Sequence, residues 1–289
     1  PSDSWEMMPG DVEDPRYDRH GFRRDASRLR HEAAFESLYE PRLVVQEQRW
    51  GRCTEKRAEL STLAPSELKH LARLGIPAAR RKHVWPQLCR AAELKAASPE
   101  GHFAALLAMP AATSPQDPGF AAERQIDLDL ARTFPGHRLL SSPDGAARLR
   151  QVLVAYARRD PSVGYVQGMG FVAALLLVFL EDPEESFWCL CSVIEWLLPE
   201  DYFNRTLLGL RVEQSVFSEL VASKLPRLSQ HLEHHCCVVE LFATRWFVAL
   251  YANALPIETT LRVWDAFLLE GCKVIHRVGL ALLRIAEPR

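Results

Sequence analysis

The amino-acid sequence predicts an all-α protein. In the segment 143–159, Leu149, Val152, Leu153 and Tyr156 recur at the spacing that places them on one side of a helix. Proline and glycine stand at the ends of such segments, and no stretch of any length alternates apolar and polar residues as a strand would. The connections between segments are mostly short, which favours packed helices arranged as two helical subdomains.

Composition limits the classes of function. Of the 289 residues, 48% are hydrophobic and 25% are charged, which is ordinary for a globular domain. The net charge of −2 gives no general attraction to nucleic acid, and basic clusters such as 80–82 are too small to indicate a nucleic-acid partner. Seven cysteines, an odd number without a C-x-x-C pair, favour reduced thiols in an intracellular protein.

No segment predicts insertion into a membrane. The longest apolar run, Phe171–Leu180, is about half the length that a bilayer span requires, so it predicts a buried core helix. The N-terminus carries neither a recognisable secretory signal nor an initiator methionine, and we expect an excised fragment.

The N-terminal part predicts an arm followed by a helix. Residues 1–40 are polar and irregular, which indicates a surface arm anchored by a few aromatic residues. We expect a helix over 41–60, because Leu43, Trp50 and Cys53 are spaced to face inward.

Two shorter helices follow. Pro65 opens the first and Gly75 ends it, while Pro77 stands in the first turn of the second. Arg81 and Trp85 are four residues apart on the second helix and therefore share a face. A buried tryptophan with an arginine packed beside it is sufficient to explain this pair.

The rest of the chain predicts a loop and then helix after helix. Residues 96–119 are rich in alanine, proline and serine, and we interpret them as a flexible loop within the domain. Further helices are expected at 120–132, 143–159, 170–180, 183–196, 206–223, 236–254, 257–269 and 273–285.

The stretch Gly164–Gly170, GYVQGMG, is the first candidate site. It lies between a polar segment and the apolar run, which indicates a tight loop at the mouth of a buried helix. Glycines at 164, 168 and 170 let a backbone pass where a Cβ would collide. Gln167 would then present a flexible amide on a rigid loop. The start of an ordinary helix with a surface glutamine explains the same residues.

Asp129 and Arg132 are the second candidate. On a helix, residues three apart are neighbours. The pair fits a surface ion pair worth about 0.3–0.5 kcal/mol. It also fits an aspartate that holds the arginine stem while the guanidinium points away from the helix.

Histidines and cysteines gather at 231–237, but they do not predict a metal site. His231 and His235 could share a helix face, yet the cluster fits none of the usual zinc spacings. We expect solvated side chains in a polar turn between helices.

Taken together, the motifs resemble those of the TBC domain family, whose members accelerate GTP hydrolysis by Rab GTPases. The resemblance extends from about Gly75 to the end of the chain, and Val166 and Gly170 depart from the residues often found at their positions. It is carried by I-x-x-D-x-x-R-T-F-P at 126–135, Y-x-Q-G-M at 165–169, G-I-P-x-x-x-R-x-x-V-W at 75–85, R-W-F at 245–247, L-R-V-W-D at 261–265 and E-G at 270–271.

The resemblance implies a dual-finger mechanism. Arg132 would supply an arginine finger and Gln167 a glutamine finger to a Rab-family GTPase in its GTP state. The protein would have no reaction and no cofactor of its own, because GTP and Mg²⁺ are bound by the partner. Supporting or partner-binding roles are implied for Asp129, Arg81, Tyr165, Gly168, Trp85 and Arg245.

The resemblance also implies domain organisation and location. We expect an arm and leading helix at 1–65, then a TBC domain at 66–289 that is truncated at its C-terminus. The expected role is in vesicle trafficking, and the expected location is cytoplasmic, with peripheral association with endomembranes allowed. The alternative is a catalytically silent scaffold that binds a Rab through the same groove.

Overall fold

A computed structural model of the chain describes residues 14–25, 27, 29–54, 60–117 and 119–287. Within these ranges the structure is all-α, as predicted, and forms no strand; the extended pairs Tyr17–Arg23 and Phe22–His137 are isolated. The first seven helices are α1 Leu29–Thr54, α2 Pro65–Leu74, α3 Ala78–Leu88, α4 Ala91–Ala96, α5 His102–Ala108, α6 Phe120–Leu130 and α7 Pro143–Arg159. The later helices are α8 Met169–Leu180, α9 Pro183–Ser192, α10 Leu208–Lys224, α11 Pro226–His234, α12 Glu240–Val248, α13 Ile257–Glu270 and α14 Lys273–Ala286. A 3₁₀ turn covers Leu60–Thr62, and a π-helical turn covers Val193–Leu197.

Helix α8 lies at the centre of a group formed with α3, α7 and α9. Its sequence, MGFVAALLLVFL, is apolar on every side, and such a helix is stable only where other elements cover it completely. Helices α3, α7 and α9 pack around it, and most of its residues have no exposed surface. Because α8 begins immediately after the Gln167 loop, that loop is attached to the most buried element of the fold.

A buried carboxylate joins this group to the C-terminal helices. Asp265 on α13 accepts hydrogen bonds from Arg81 Nε (3.0 Å) and Trp85 Nε1 (2.8 Å) at Oδ1. Its Oδ2 accepts from Arg81 Nη2 (3.0 Å) and from the backbone N–H of Ile76 (2.8 Å). All these groups are buried, so Asp265 fixes α13 against α3. Removal of one partner from such a network typically costs about 3–5 kcal/mol, because it leaves a buried charge uncompensated.

The first helix is longer than the sequence predicted. Helix α1 begins at Leu29, and Pro41 lies inside it on the exposed side. Burial explains the difference: Tyr39 and Trp50 bury one stripe of α1, and Trp50 Nε1 donates to the Gly75 carbonyl oxygen (3.0 Å). Leu43 is half-buried, whereas the side chain of Cys53 lies outside the described residues.

The predicted flexible loop at 96–119 is partly wrong. It contains helix α5, in which Phe103 and Leu106 are buried. Phe103 packs on Phe187 with ring centroids 5.2 Å apart, and Arg158 Nη1 donates to the Leu106 carbonyl oxygen (2.8 Å). Two apolar residues at helical spacing and one arginine cap are enough to order this alanine-rich segment.

Two predictions in the C-terminal half also need correction. The polar turn expected at 231–237 is present only after His234, because the residues up to His234 form the last turn of helix α11. The helix expected over 236–254 is confined to α12, because the positive φ angles of Leu250 (47°) and Tyr251 (65°) end it. The hydroxyl of Tyr251 donates to the Ile275 carbonyl oxygen (2.9 Å), so packing against α14 stabilises this bend.

The N-terminal arm, residues 14–25, lies across the segment that follows α6. Phe22 packs on Phe134 and on His137, with ring centroids 5.3 and 4.5 Å apart. His20 Nε2 lies 2.7 Å from Glu258 Oε1 on α13. The arm therefore connects the segment after α6 with the C-terminal helices.

His137 is held in its neutral form beneath the arm. Its Nε2–H donates to the His20 carbonyl oxygen (2.9 Å), and its Nδ1 accepts from the Leu140 backbone N–H (3.4 Å). Burial lowers the pKa of His137 below its usual value. Protonation would place an N–H at Nδ1, where it would face the Leu140 N–H.

We predict that His137 makes stability depend on pH. Because its folded pKa is lowered, its contribution is complete above the unfolded pKa of about 6.5 and is lost as the pH falls below that value. One such proton changes the free energy of unfolding by at most about 1.4 kcal/mol per pH unit. Urea unfolding between about pH 7.5 and about pH 5.5 should show a smaller loss for His137→Gln than for the wild type.

The exposed His235 provides the control, since His235→Gln should keep the wild-type pH dependence. Equal pH dependence of wild type and His137→Gln would contradict the assignment of a neutral buried imidazole.

Candidate functional site

The Asp129 carboxylate is the centre of the site. It lies in the last turn of α6 with its side chain only 4% exposed. Oδ1 accepts hydrogen bonds from Arg132 Nη2 and from Gln125 Nε2 (2.7 Å), and Oδ2 accepts from the Tyr165 hydroxyl (2.9 Å). Residues from two separate segments therefore meet at one carboxylate.

Arg132 follows the end of α6 in a backbone fixed on both sides. Its N–H donates to the Asp129 carbonyl oxygen (3.1 Å), and the buried Thr133 hydroxyl donates to the same oxygen (2.8 Å). Phe134, at a φ of 49°, packs edge-on against Phe171 of α8 with centroids 5.1 Å apart. The Arg132 side chain is nevertheless 53% exposed, so one end of the guanidinium is held while the rest faces solvent.

The loop that carries Gln167 is built by local hydrogen bonds. The Asp160 carboxylate accepts from the Ser162 N–H (3.0 Å), and the Asp160 carbonyl oxygen accepts from the Gly164 N–H (2.8 Å). The Met169 N–H then donates to the Val166 carbonyl oxygen (3.1 Å). Gln167 is exposed and makes no side-chain hydrogen bond to any described residue.

Two glycines let this loop pack where a Cβ would collide. Gly168 has a φ of 113°, and a Cβ there would lie 2.6 Å from the Val248 carbonyl oxygen at the end of α12. A Cβ at Gly170 would lie 3.0 Å from the Tyr165 hydroxyl and 3.1 Å from Thr133 Oγ1. The loop is therefore wedged between the Arg132 segment and α12. Gly164 differs, since a Cβ there would make ordinary contacts and only its φ of 62° favours glycine.

The Tyr165 hydroxyl is a permanent donor. Burial raises the pKa of Tyr165 well above its usual value, and the neighbouring Asp129 charge and hydrogen bond raise it further. The bond to Asp129 therefore persists throughout the neutral pH range and fixes the Gln167 loop relative to Arg132.

Comparisons with known proteins identify the family of this chain. The Rab-GTPase-TBC domain family model matches residues 79–289. TBC1 domain family member 2A of Mus musculus is 40% identical over 236 residues, which is 81% of this chain, and member 2B of Homo sapiens is 37% identical over 243 residues, or 83% of this chain. The chain belongs to the Rab-GTPase-TBC domain family. It spans 25% of the length of each of these two relatives.

Solved structures show the same fold for this TBC domain. The Chlamydomonas flagellar RabGAP TBC domain superposes with a TM-score of 0.75 at 29% identity, covering 93% of this chain and 85% of the other. The Ypt/Rab-GAP domain of Gyp1p has a TM-score of 0.66 at 20% identity, covering 84% and 85%. In the described part of this TBC domain, no helix is long and apolar enough to cross a membrane.

The other predicted site residues of this TBC domain divide into two groups. Arg81 and Trp85 are buried and donate hydrogen bonds to Asp265, so they support the helix packing. The carboxylate that contacts Arg132 is that of Asp129. Arg245 on α12 is exposed and donates from Nη2 to the Asn253 carbonyl oxygen (3.2 Å). It shares its helix with Val248, against which Gly168 packs.

The sequence reasoning missed two residues that support the site. Gln125 donates to Asp129 from four positions earlier on α6, and this spacing was a readable signal. Phe22, which packs on Phe134, comes from the distant arm, and no local sequence pattern predicts this contact.

The exposed histidines 231, 234 and 235 are close to one another, with ring centroids 4.5 Å apart for His231 and His235.

We predict that Gly168→Ala lowers the free energy of unfolding by more than backbone strain alone would. Strain at this φ and the clash with Val248 should together cost about 3 kcal/mol or more. Gly101→Ala is a matched control, because Gly101 has a φ of 67° but nothing within 4 Å of its Cβ position. That change should cost about 1–2 kcal/mol. Equal losses in urea unfolding would mean that the close contact with α12 is not maintained.

Proposed function

We propose that this TBC domain is a GTPase-activating protein for a Rab-family GTPase in its GTP state. Arg132 and Gln167 would enter the nucleotide site of the partner together. The Asp129 carboxylate carries this proposal: it ties the segment of Arg132 to the loop of Gln167 while both side chains stay exposed. The family membership of the chain and its similarity to the Chlamydomonas flagellar RabGAP TBC domain support the same class of partner.

The two side chains match the needs of phosphoryl transfer to water. That reaction requires stabilisation of charge on the γ-phosphoryl group and an oriented water molecule. A guanidinium offers permanent charge and a planar set of donors, and an amide can both donate to and accept from water. The bound GTP and Mg²⁺ belong to the partner, and this chain supplies no reaction alone.

The contacts of Asp129 give Arg132 a defined starting geometry. Of the five N–H groups of a guanidinium, one donates to Asp129, which leaves the outer edge for phosphate oxygens. Holding one end of the guanidinium before the partner arrives reduces the entropy lost on binding. An arginine finger contributes about 10³–10⁵ in rate, or roughly 4–7 kcal/mol of barrier.

We predict that Arg132→Ala removes about 10³-fold or more of the stimulated rate without unfolding the protein. Arg132→Lys should rescue little, because lysine keeps the charge but loses the planar fork. Gln167→Ala should be similarly severe. The measurement is single-turnover phosphate release across a panel of purified, GTP-loaded Rabs, with circular dichroism melting of each variant.

Arg227→Ala is a suitable control, since Arg227 is an exposed arginine on α11. It should keep the wild-type rate. Near-full stimulation by Arg132→Ala would contradict the proposed role. Binding of GTP-loaded Rab without any stimulation by the wild-type protein would instead identify a silent scaffold.

A further inference from the structure

Three side chains capable of binding a metal converge between α10 and α14. Cys272 and His276 are four residues apart at the start of α14, and Glu213 approaches them from α10. Their ligand atoms all lie within 4.8 Å of one another. None of these residues belongs to the Asp129 site.

Two of the contacts end on the same oxygen atom. Cys272 Sγ lies 3.2 Å and His276 Nε2 lies 3.1 Å from Glu213 Oε2. His276 Nε2 is also 3.2 Å from the Glu213 carbonyl oxygen. Zinc at about 2.3 Å from sulfur and about 2.0–2.2 Å from nitrogen and oxygen keeps tetrahedral ligand atoms roughly 3.3–3.7 Å apart. The two distances to Glu213 Oε2 are therefore within a few tenths of an ångström of those a bound ion needs, and the ligand atoms of Cys272 and His276 lie within 4.8 Å of each other.

The surroundings fix these side chains in position. The His276 ring packs on Phe217 and Phe247, with centroids 6.1 and 5.4 Å away. One turn later, a Cβ at Gly279 would lie 2.6 Å from the Phe217 ring, so α10 and α14 cross closely. Ligands held on two tightly packed helices need little rearrangement to receive an ion.

Charge also favours a cation at this position. The Glu213 side chain is 16% exposed, and among the described residues its ion-pair partner is His276 alone. A half-buried carboxylate next to a thiol and an imidazole lacks a permanent positive charge. A divalent ion would supply that charge and would satisfy all three groups at once.

We propose that Glu213, Cys272 and His276 form a Zn²⁺ site. A thiolate, an imidazole and a carboxylate are together the ligand types that zinc accepts, whereas Mg²⁺ and Ca²⁺ prefer oxygen alone. As the Zn–S bond forms, the Cys272 S–H bond breaks and its proton goes to solvent. Water takes the fourth position, and no electron is transferred. The bound ion would join α10 to α14 next to α12, the helix on which the Gln167 loop rests.

Cobalt(II) provides the test, because it occupies zinc sites and gives an absorption band when a thiolate binds it. Titration of the wild-type chain with Co²⁺ should give a thiolate-to-cobalt charge-transfer band that saturates at one equivalent. Added Zn²⁺ should remove the band. Cys272→Ser should abolish it, and Glu213→Gln should weaken the affinity by about tenfold or more while the band remains.

The matched control carries the changes His231→Gln, His234→Gln, His235→Gln, Cys236→Ser and Cys237→Ser, which remove every histidine and cysteine at 231–237. It should keep the wild-type band and affinity. If Cys272→Ser does not fold, Glu213→Gln decides the matter by its affinity. The proposal is overturned if the wild type gives no band, if Cys272→Ser keeps it, if the control loses it, or if Glu213→Gln binds as tightly as the wild type.

Discussion

The buried carboxylate of Asp129 determines the geometry of the candidate site. A carboxylate that has lost its water must have its oxygens satisfied, and here the partners come from its own helix, from Arg132 and from Tyr165. That requirement brings the chain after α7 against the chain after α6. Arg132 and Gln167 then stand at the ends of two segments whose relative position the carboxylate fixes, while each side chain remains exposed.

A second buried carboxylate, that of Asp265, fixes the relative positions of helices in the interior, as the carboxylate of Asp129 fixes the two segments of the site. It holds Arg81, Trp85 and the backbone of Ile76, and it joins α13 to α3. The motif residues therefore have two distinct physical roles. Those around Asp265 hold helices together in the interior, and those around Asp129 position side chains at the surface. The N-terminal arm connects the two regions, because it packs on Phe134 and also pairs with Glu258 on α13.

Local patterns in the sequence predicted much of this structure, and distant contacts account for what it could not predict. The apolar run of α8 and the glycines around Gln167 are readable because their causes lie within a few residues. The early start of α1, the order of α5 and the packing of Phe22 depend on partners far away in the chain. The same holds for Glu213, which meets Cys272 only after α10 and α14 have packed. The pairing of Arg81 with Asp265 could not be predicted either, because a motif does not reveal which carboxylate its arginine will contact.

The proposed function requires this chain to supply a glutamine as well as an arginine to its partner, and one measurement tests this requirement directly. A cognate Rab whose own catalytic glutamine has been replaced by alanine is loaded with GTP and mixed with the wild-type protein, and phosphate release is followed through a single turnover. If Gln167 takes the place of the missing amide, this Rab retains a large part of the stimulation, and Gln167→Ala abolishes it. Complete loss of stimulation on the altered Rab, with normal binding, would contradict the account.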